Sequence, residues 1–392
     1  MALQLRSDDS PAAVTPTPAT PRRGGSARIR PRSFHRGDIV VLGGAAASSF
    51  ALVWLVYTEV LGLQGVFGFA AWWYASFLVT YGLAVRELRG WLLAKDAVMT
   101  VVIASASLAM LVPLLMIISY VLYQGVHLIA IHFFVSSAAS CGPLDPTSCG
   151  GVGHAIIGTL EQVGLAVVIA VPLAVLCAVF LNEIRGPMQR PVQLVIDAMS
   201  GVPSIVAGLF ILAVWVIGLH RGYSGFAGSL GLSILMLPTV TRTSLEVLRP
   251  VPDGLREGAL ALGASEWRTV WSVVLPTARS GLITAVILGV ARSVGETAPL
   301  IVTVFGSSDF NFNPFSGPQS ALPLYVYQYI RFNPKTSSPE LAWGGAVVLT
   351  FLVLALFTAA RVAGVVLSVE SRERRAAKRS RRRAAIALGD NA

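Results

Sequence analysis

An all-α membrane protein that crosses the bilayer about eight times is the fold class this sequence predicts, and three observations carry the prediction. The 392-residue chain is 54% hydrophobic and 13% charged, whereas a soluble domain has about 25% charged residues. Its mean hydropathy is +0.69. The apolar residues fall in long continuous runs, and a spanning helix needs about 20 of them. A barrel would alternate apolar and polar positions instead, and only helices or closed barrels satisfy their backbone in lipid.

The runs cover residues 39–61, 66–85, 98–123, 154–181, 192–217, 226–246, 280–305 and 343–368. Before them, residues 1–38 are rich in Pro, Ala, Thr and Arg and cannot bury a core, so they are expected to be disordered. The first apolar run is long enough to span, which argues against a cleaved signal peptide. Spans one and two stand apart, joined to the third by the basic segment 86–97. They read as an added two-helix hairpin (39–97 with its linker) ahead of a six-span core (98–370), with a basic tail at 371–392. Several core helices carry Gly and Pro breaks, in AVPLAVL (170–176), SGVPSIVAGLF (200–210) and GLSILMLPTV (231–240). Such breaks suit either close packing through small residues or a backbone facing a water-filled path.

Charge placement sets the expected topology. The formal net charge is +10, yet no Lys or Arg occurs from Asp96 through Glu183. Basic residues crowd the N-terminal segment, 86–97, the stretch 242–279 and the tail, where Arg372, Arg374, Arg375, Lys378, Arg379 and Arg381 to Arg383 lie. The positive-inside rule puts both termini in the cytoplasm of a multi-pass cell (plasma or inner) membrane protein, with 86–97, 182–191 and 247–279 inside. The tail reads as a topology signal attracted to anionic lipid rather than a nucleic-acid patch. Cys141 and Cys149, in the external loop SCGPLDPTSCG, are placed to form a disulfide. Cys177 lies in a span. His127, His132 and His154 have no acidic or Cys partners at ligand spacing, so no metal site is expected.

Two features carry chemistry. ARSVGETAPLI (291–301) puts Arg292 and Glu296 into an otherwise apolar run, where a charge costs roughly 2.5–3.5 kcal/mol at the bilayer centre. Arg242 and Glu246 repeat the four-residue spacing that shares one helix face. Asp197, just before the GVPS break, is read as a helix cap. The second feature is the internal segment 249–280. Leu255, Ala259, Leu260 and Leu262 fit a helical period, Gly263 punctuates, and Trp267, Val270, Trp271 and Val274 resume it until Pro276. The expectation is a helix–turn–helix on the cytoplasmic face, able to lie in a groove on another protein.

Here the sequence resembles a family. Glu257, Ala259, Gly263, Val273, Leu275 and Pro276 match the EAA loop of bacterial ABC importer permeases, with Gly258 where Ala is usual. GGVGHAIIGTL (150–160), GVPSIVAGLF (201–210), ARSVGETAPLI (291–301) and NPFSGPQSALPLYVYQYI (313–330) are similar to PstA-type phosphate permeases. The resemblance spans roughly 98–370 and leaves the first two spans and both tails uncovered.

It implies an ATP-driven inorganic phosphate importer, with a PstC-like second permease, a PstB-like ATP-binding dimer and an external PstS-like phosphate-binding protein. Glu257, Ala259, Gly263, Leu275 and Pro276 would then couple to the ATP-binding subunit. The three lysines, Lys95, Lys335 and Lys378, lie in no G-x-x-x-x-G-K-[ST] frame. ATP and Mg would therefore belong to the partner, and this chain would be a non-catalytic subunit with no cofactor of its own. On that reading Arg292 lines the phosphate path, with Ser293 and Thr297 adding hydroxyls, Glu296 offsets its charge when the path is empty, Pro299 bends the helix beyond the pair, and Arg242 serves nearer the cytoplasm. A purely structural ion pair, another oxyanion such as sulfate or molybdate, and a non-transporting scaffold or sensor remain the alternatives.

Overall fold

A computed structural model of the protein describes residues 36–139, 141, 145–184, 186–331, 339–359 and 361–362. The expected disordered segment through residue 35, Arg185, Lys335 and the basic tail lie outside the described residues. The described residues form two compact units that divide between Val112 and Pro113.

In the first unit, α1 (Arg36–Trp54) continues through a π-helical turn (Leu55–Val60) and folds back as α2 (Val66–Arg89). The turn is held by the Tyr57 hydroxyl, which donates to the Gly65 carbonyl at 3.3 Å. Ala45, Tyr81, Val85 and Ala94 form the buried centre of the unit. The expected 86–97 linker shrinks to Gly90, in a left-handed conformation with φ 88°, between α2 and α3 (Trp91–Gly125). Its basic residues Arg86, Arg89 and Lys95 lie within α2 and α3. Arg86 lies over the Trp91 ring at 5.5 Å.

The second unit is organised by α5 (Gly153–Glu183) against α8 (Gly225–Leu248). Ala166, Ala170 and Ala174, four apart on one face, meet Leu232, Met236 and Val240. Lipid offers no hydrophobic drive between helices, so this close fit of small against large residues is what holds them. The expected span 226–246 is α8. It is long enough to cross a bilayer but stands outside the six helices both long and apolar enough to do so. Its polarity is internal: Ser229, Ser233, Thr241 and Ser244 are buried. The first three donate to carbonyls one turn earlier, Thr241 to Leu237 at 2.8 Å.

The expected span 192–217 is a broken pair, α6 (Gln189–Ser200) and α7 (Ser204–Ile211, extended by a π-helical turn Leu212–Gly218), bent by 102° at Gly201–Pro203. The bent pair would be a seventh crossing if taken as one span. The expected span 280–305 is also broken, into α11 (Leu275–Val294) and α12 (Ala298–Thr303). The two broken elements meet, α7 packing on α12. A Cβ added to Gly208 would lie 2.6 Å from Pro299 Cα, so only Gly allows that approach. Two short helices, α9 (Asp253–Ala261) and α10 (Glu266–Thr269), precede α11, and α13 (Leu322–Ile330) and α14 (Pro339–Ala359) follow α12. A short helix, α4 (Ile131–Val135), packs on α5.

Candidate functional site: a broken helix and an open internal loop

Arg292 and Glu296 do not sit in the middle of a helix. Arg292 occupies the last turn of α11, and Glu296 falls in the three-residue gap before α12. Gly295 and Glu296 N–H close the end by donating to the Arg292 and Ser293 carbonyls, at 3.2 Å each. This explains the order of the pair. Arg before Glu is the weaker arrangement within one helix, but a cation at a helix C-terminus complements the helix dipole. Pro299 does not bend a continuous helix. It stands in the first turn of α12, where its missing N–H costs nothing.

The Arg292 Nε lies 3.8 Å from Glu296 Oε1, an ion pair too long for a hydrogen bond. The Arg292 side chain is 68% exposed in the single chain and that of Glu296 21%. Among the described residues no other group engages the guanidinium, so its planar fork of donors stays open to an oxyanion. Thr297 is the residue before α12, and its carbonyl accepts from Leu300 and Ile301. Ser293 is not an available donor: it is buried, and its hydroxyl donates to Gly289 O at 3.0 Å.

Arg242 pairs with Asp197 on α6, not with Glu246. Its Nη2 donates to Asp197 Oδ1 at 2.8 Å, and both side chains are half exposed. Asp197 is therefore not a cap; it lies inside α6 and ties that helix to α8. The preceding residue of α7 is Pro203, which has no capping side chain.

The segment 249–280 keeps its turn and changes its second helix. Gly263 has φ +82°. Its N–H donates to Leu260 O at 2.9 Å and Ala264 N–H donates to Ala259 O at 3.1 Å, the double bond of a Schellman cap. Ser265 then caps α10, its Oγ accepting from Arg268 N. Pro276 does not end the following helix. Glu266–Val294 is one helical run, with a π-helical turn at Val270–Val274 placed just before Leu275 and Pro276. A π turn widens the backbone ladder and takes up a missing N–H. One face of this segment is open. Glu257 is exposed, as are Leu255, Leu260, Leu262, Trp267 and Trp271, while Ala259 is partly covered. The Trp267 and Trp271 rings stack edge-on, 5.5 Å between centroids. Nothing lies within 4 Å of a Cβ added at Gly254, Gly258 or Gly263.

Two constellations carry no local signal in the sequence. The Arg256 guanidinium forks onto Glu183, Nε to Oε2 and Nη2 to Oε1 at 2.9 Å each. Its hydrogen bonds to the Glu183 carboxylate raise the Arg256 pKa above its ordinary value. At the other end of α5, Gln162 and Gln319 are buried together, Gln162 Nε2 donating to Gln319 Oε1 at 2.9 Å and to Ser320 O at 3.0 Å. Thr159 Oγ1 accepts from Leu322 N at 2.7 Å. These bonds seat the segment 305–322 on the end of α5. The partners are 73 and 157 residues apart, beyond any periodicity. On the same side, Cys141 and Cys149 are joined, with Cα atoms 5.8 Å apart.

Comparison with known proteins gives a consistent result. The family model for binding-protein-dependent transport system inner membrane components matches residues 170–372. The phosphate transport system permease protein PstA of Mycobacterium leprae is 40% identical over 260 residues, 66% of this chain and 85% of its own. PstA 1 of Mycobacterium tuberculosis is 38% identical over 282 residues, 72% of this chain and 90% of its own. A solved chain of the MetNI methionine ABC transporter, in an inward-facing conformation, matches 55% of this chain and 94% of its own, at 22% identity and a TM-score of 0.45.

Proposed function

We propose, from the premise that this chain belongs to the PstA-type permeases within the family of binding-protein-dependent transport system inner membrane components, that it is the transmembrane permease subunit of an ATP-driven inorganic phosphate importer. It forms half of the translocation path. A PstC-like second permease forms the other half, a PstB-like dimer binding ATP and Mg supplies the energy, and a PstS-like external protein delivers phosphate. Both termini lie in the cytoplasm, and the chain itself is non-catalytic.

The observation that carries the reading is the Arg292 guanidinium at the end of α11, exposed on the single chain and paired only loosely with Glu296 in a largely apolar run. Intramembrane charges are expensive and mark ion pathways. An open guanidinium recognises phosphate oxygens in pairs, and Glu296 at 3.8 Å limits how tightly the anion is held. Thr297 adds a hydroxyl beside the pair, and Arg242 extends the cationic path toward α6. The face of α9 and α10 is the docking surface for the ATP-binding subunit: its Leu and Trp side chains are exposed, and the Gly263 turn fixes the angle between the two helices.

Radiolabelled phosphate uptake in cells carrying Arg292→Gln tests this, with membrane insertion and subunit assembly checked in parallel. Normal assembly with collapsed phosphate uptake is the expected result. Normal phosphate uptake would reduce the pair to a structural role. Wild-type uptake of sulfate or molybdate in place of phosphate would replace the anion.

A further inference from the structure

The open face of α9 has an opposite side, and one residue, Arg256, supplies its side-chain hydrogen bonds. No residue of α9 is buried, and within it Arg256 and Ala259 alone are partly covered. Arg256 binds three acceptors at once. Besides the fork onto Glu183, its Nη1 donates to Val251 O and to Asp253 Oδ1, each at 2.8 Å. The Arg256 and Glu183 side chains are 17% and 12% exposed, far less than those of Arg242 and Asp197.

Glu183 is the last residue of α5. At the far end of that helix, Thr159 and Gln162 hold the external segment through Leu322 N, Ser320 O and Gln319. One continuous helix, unbroken through Pro172, therefore joins the internal segment to the external one, with a hydrogen-bonded fork at its inner end. An exposed helix attached by packing alone could slide when pulled. A bidentate guanidinium–carboxylate pair fixes distance and angle together.

We infer that the Arg256–Glu183 fork is the joint that transmits displacement of α9 to α5. Both are positioning residues: neither meets phosphate nor the ATP-binding partner, and each acts by making α9 and α5 move as one body. The inference rests on the reading of 249–280 as the coupling loop.

The complete importer carrying Arg256→Lys, Glu183→Gln or both, reconstituted in liposomes, tests the joint. Lys keeps the charge and loses the fork; Gln keeps the shape and loses the charge. The ATP-binding subunit is expected to co-purify as in wild type, with phosphate moved per ATP hydrolysed falling by about tenfold. The double variant should be no worse than either single, since both remove one contact. An unchanged ratio, or a loss that merely follows dissociation of the ATP-binding subunit, would overturn the inference.

A second readout needs no substrate. Spin labels at Leu176 on α5 and Ala261 on α9, which is exposed and outside the Leu and Trp docking set, in a Cys177→Ala background, report the distance between the helices with and without ATP. It should stay constant in wild type and change with ATP in Arg256→Lys. Equal changes in both would defeat the joint, whereas a wild-type complex that moves no phosphate would defeat only the transport reading.

Discussion

Arg242 on α8 reaches Asp197 on α6 at 2.8 Å, although Glu246 lies one turn away on its own helix. The pair crosses between elements 45 residues apart in sequence. It closes an amphipathic helix whose one buried residue is Ile196. Both side chains are half exposed, so the pair stabilises the protein by about 0–1 kcal/mol.

Asp197→Asn is therefore expected to leave the melting temperature of the purified protein almost unchanged while loosening α6 locally. Hydrogen exchange should show α6 amides exchanging faster and those of α5 at their wild-type rates. Unaltered α6 exchange would show that packing, not the ion pair, holds the helix.

Glu296→Gln is expected to act oppositely to Arg292→Gln on binding. Without its neighbouring carboxylate, 3.8 Å away, the Arg292 guanidinium should hold phosphate more tightly and release it more slowly. Maximal uptake should fall while the phosphate concentration for half-maximal uptake also falls. A rise in that concentration would assign Glu296 a direct part in recruiting the anion.

Gly263→Ala places a Cβ in a left-handed backbone with φ +82°, a strain of about 1–2 kcal/mol. Because no neighbouring atom lies within 4 Å of that Cβ, steric clash within the chain plays no part. Recovery of the ATP-binding subunit with the permease is expected to drop for Gly263→Ala and much less for Gly263→Asn, since Asn tolerates this conformation. Equal losses would place the effect in the partner's groove rather than in the turn.

Gly208→Ala would set a Cβ 2.6 Å from Pro299 Cα, on backbone that has little freedom to retreat. Overpacking of this kind costs about 1–3 kcal/mol, and here it would push α7 off α12. A clear fall in thermal stability of the detergent-solubilised protein is expected. Gly164→Ala on α5 is the control, because nothing lies within 4 Å of its added Cβ. A loss of stability as large for Gly164→Ala would refute the packing account.

Much of this protein was legible in its residues, because lipid imposes a simple rule. A backbone in hydrocarbon must bond to itself, so continuous apolar runs announce helices, and the described part of each of the eight runs is mainly helical, with breaks at 201–203 and 295–297. The Gly263 turn was legible for a similar local reason, since few residues but Gly close a Schellman cap cheaply. Tertiary structure decided the rest. It determined that Pro276 lies within a helix, that the expected breaks at 170–176 and 231–240 do not occur because α5 and α8 run on through Pro172 and Pro238, that the runs at 192–217 and 280–305 are broken, that Arg242 chooses Asp197, and that Arg256 meets Glu183. A Pro or Gly marks where a helix can break, but whether it does depends on what the neighbouring helix offers. An ion pair forms between side chains that folding brings within reach, and sequence spacing bears on that only inside a single helix.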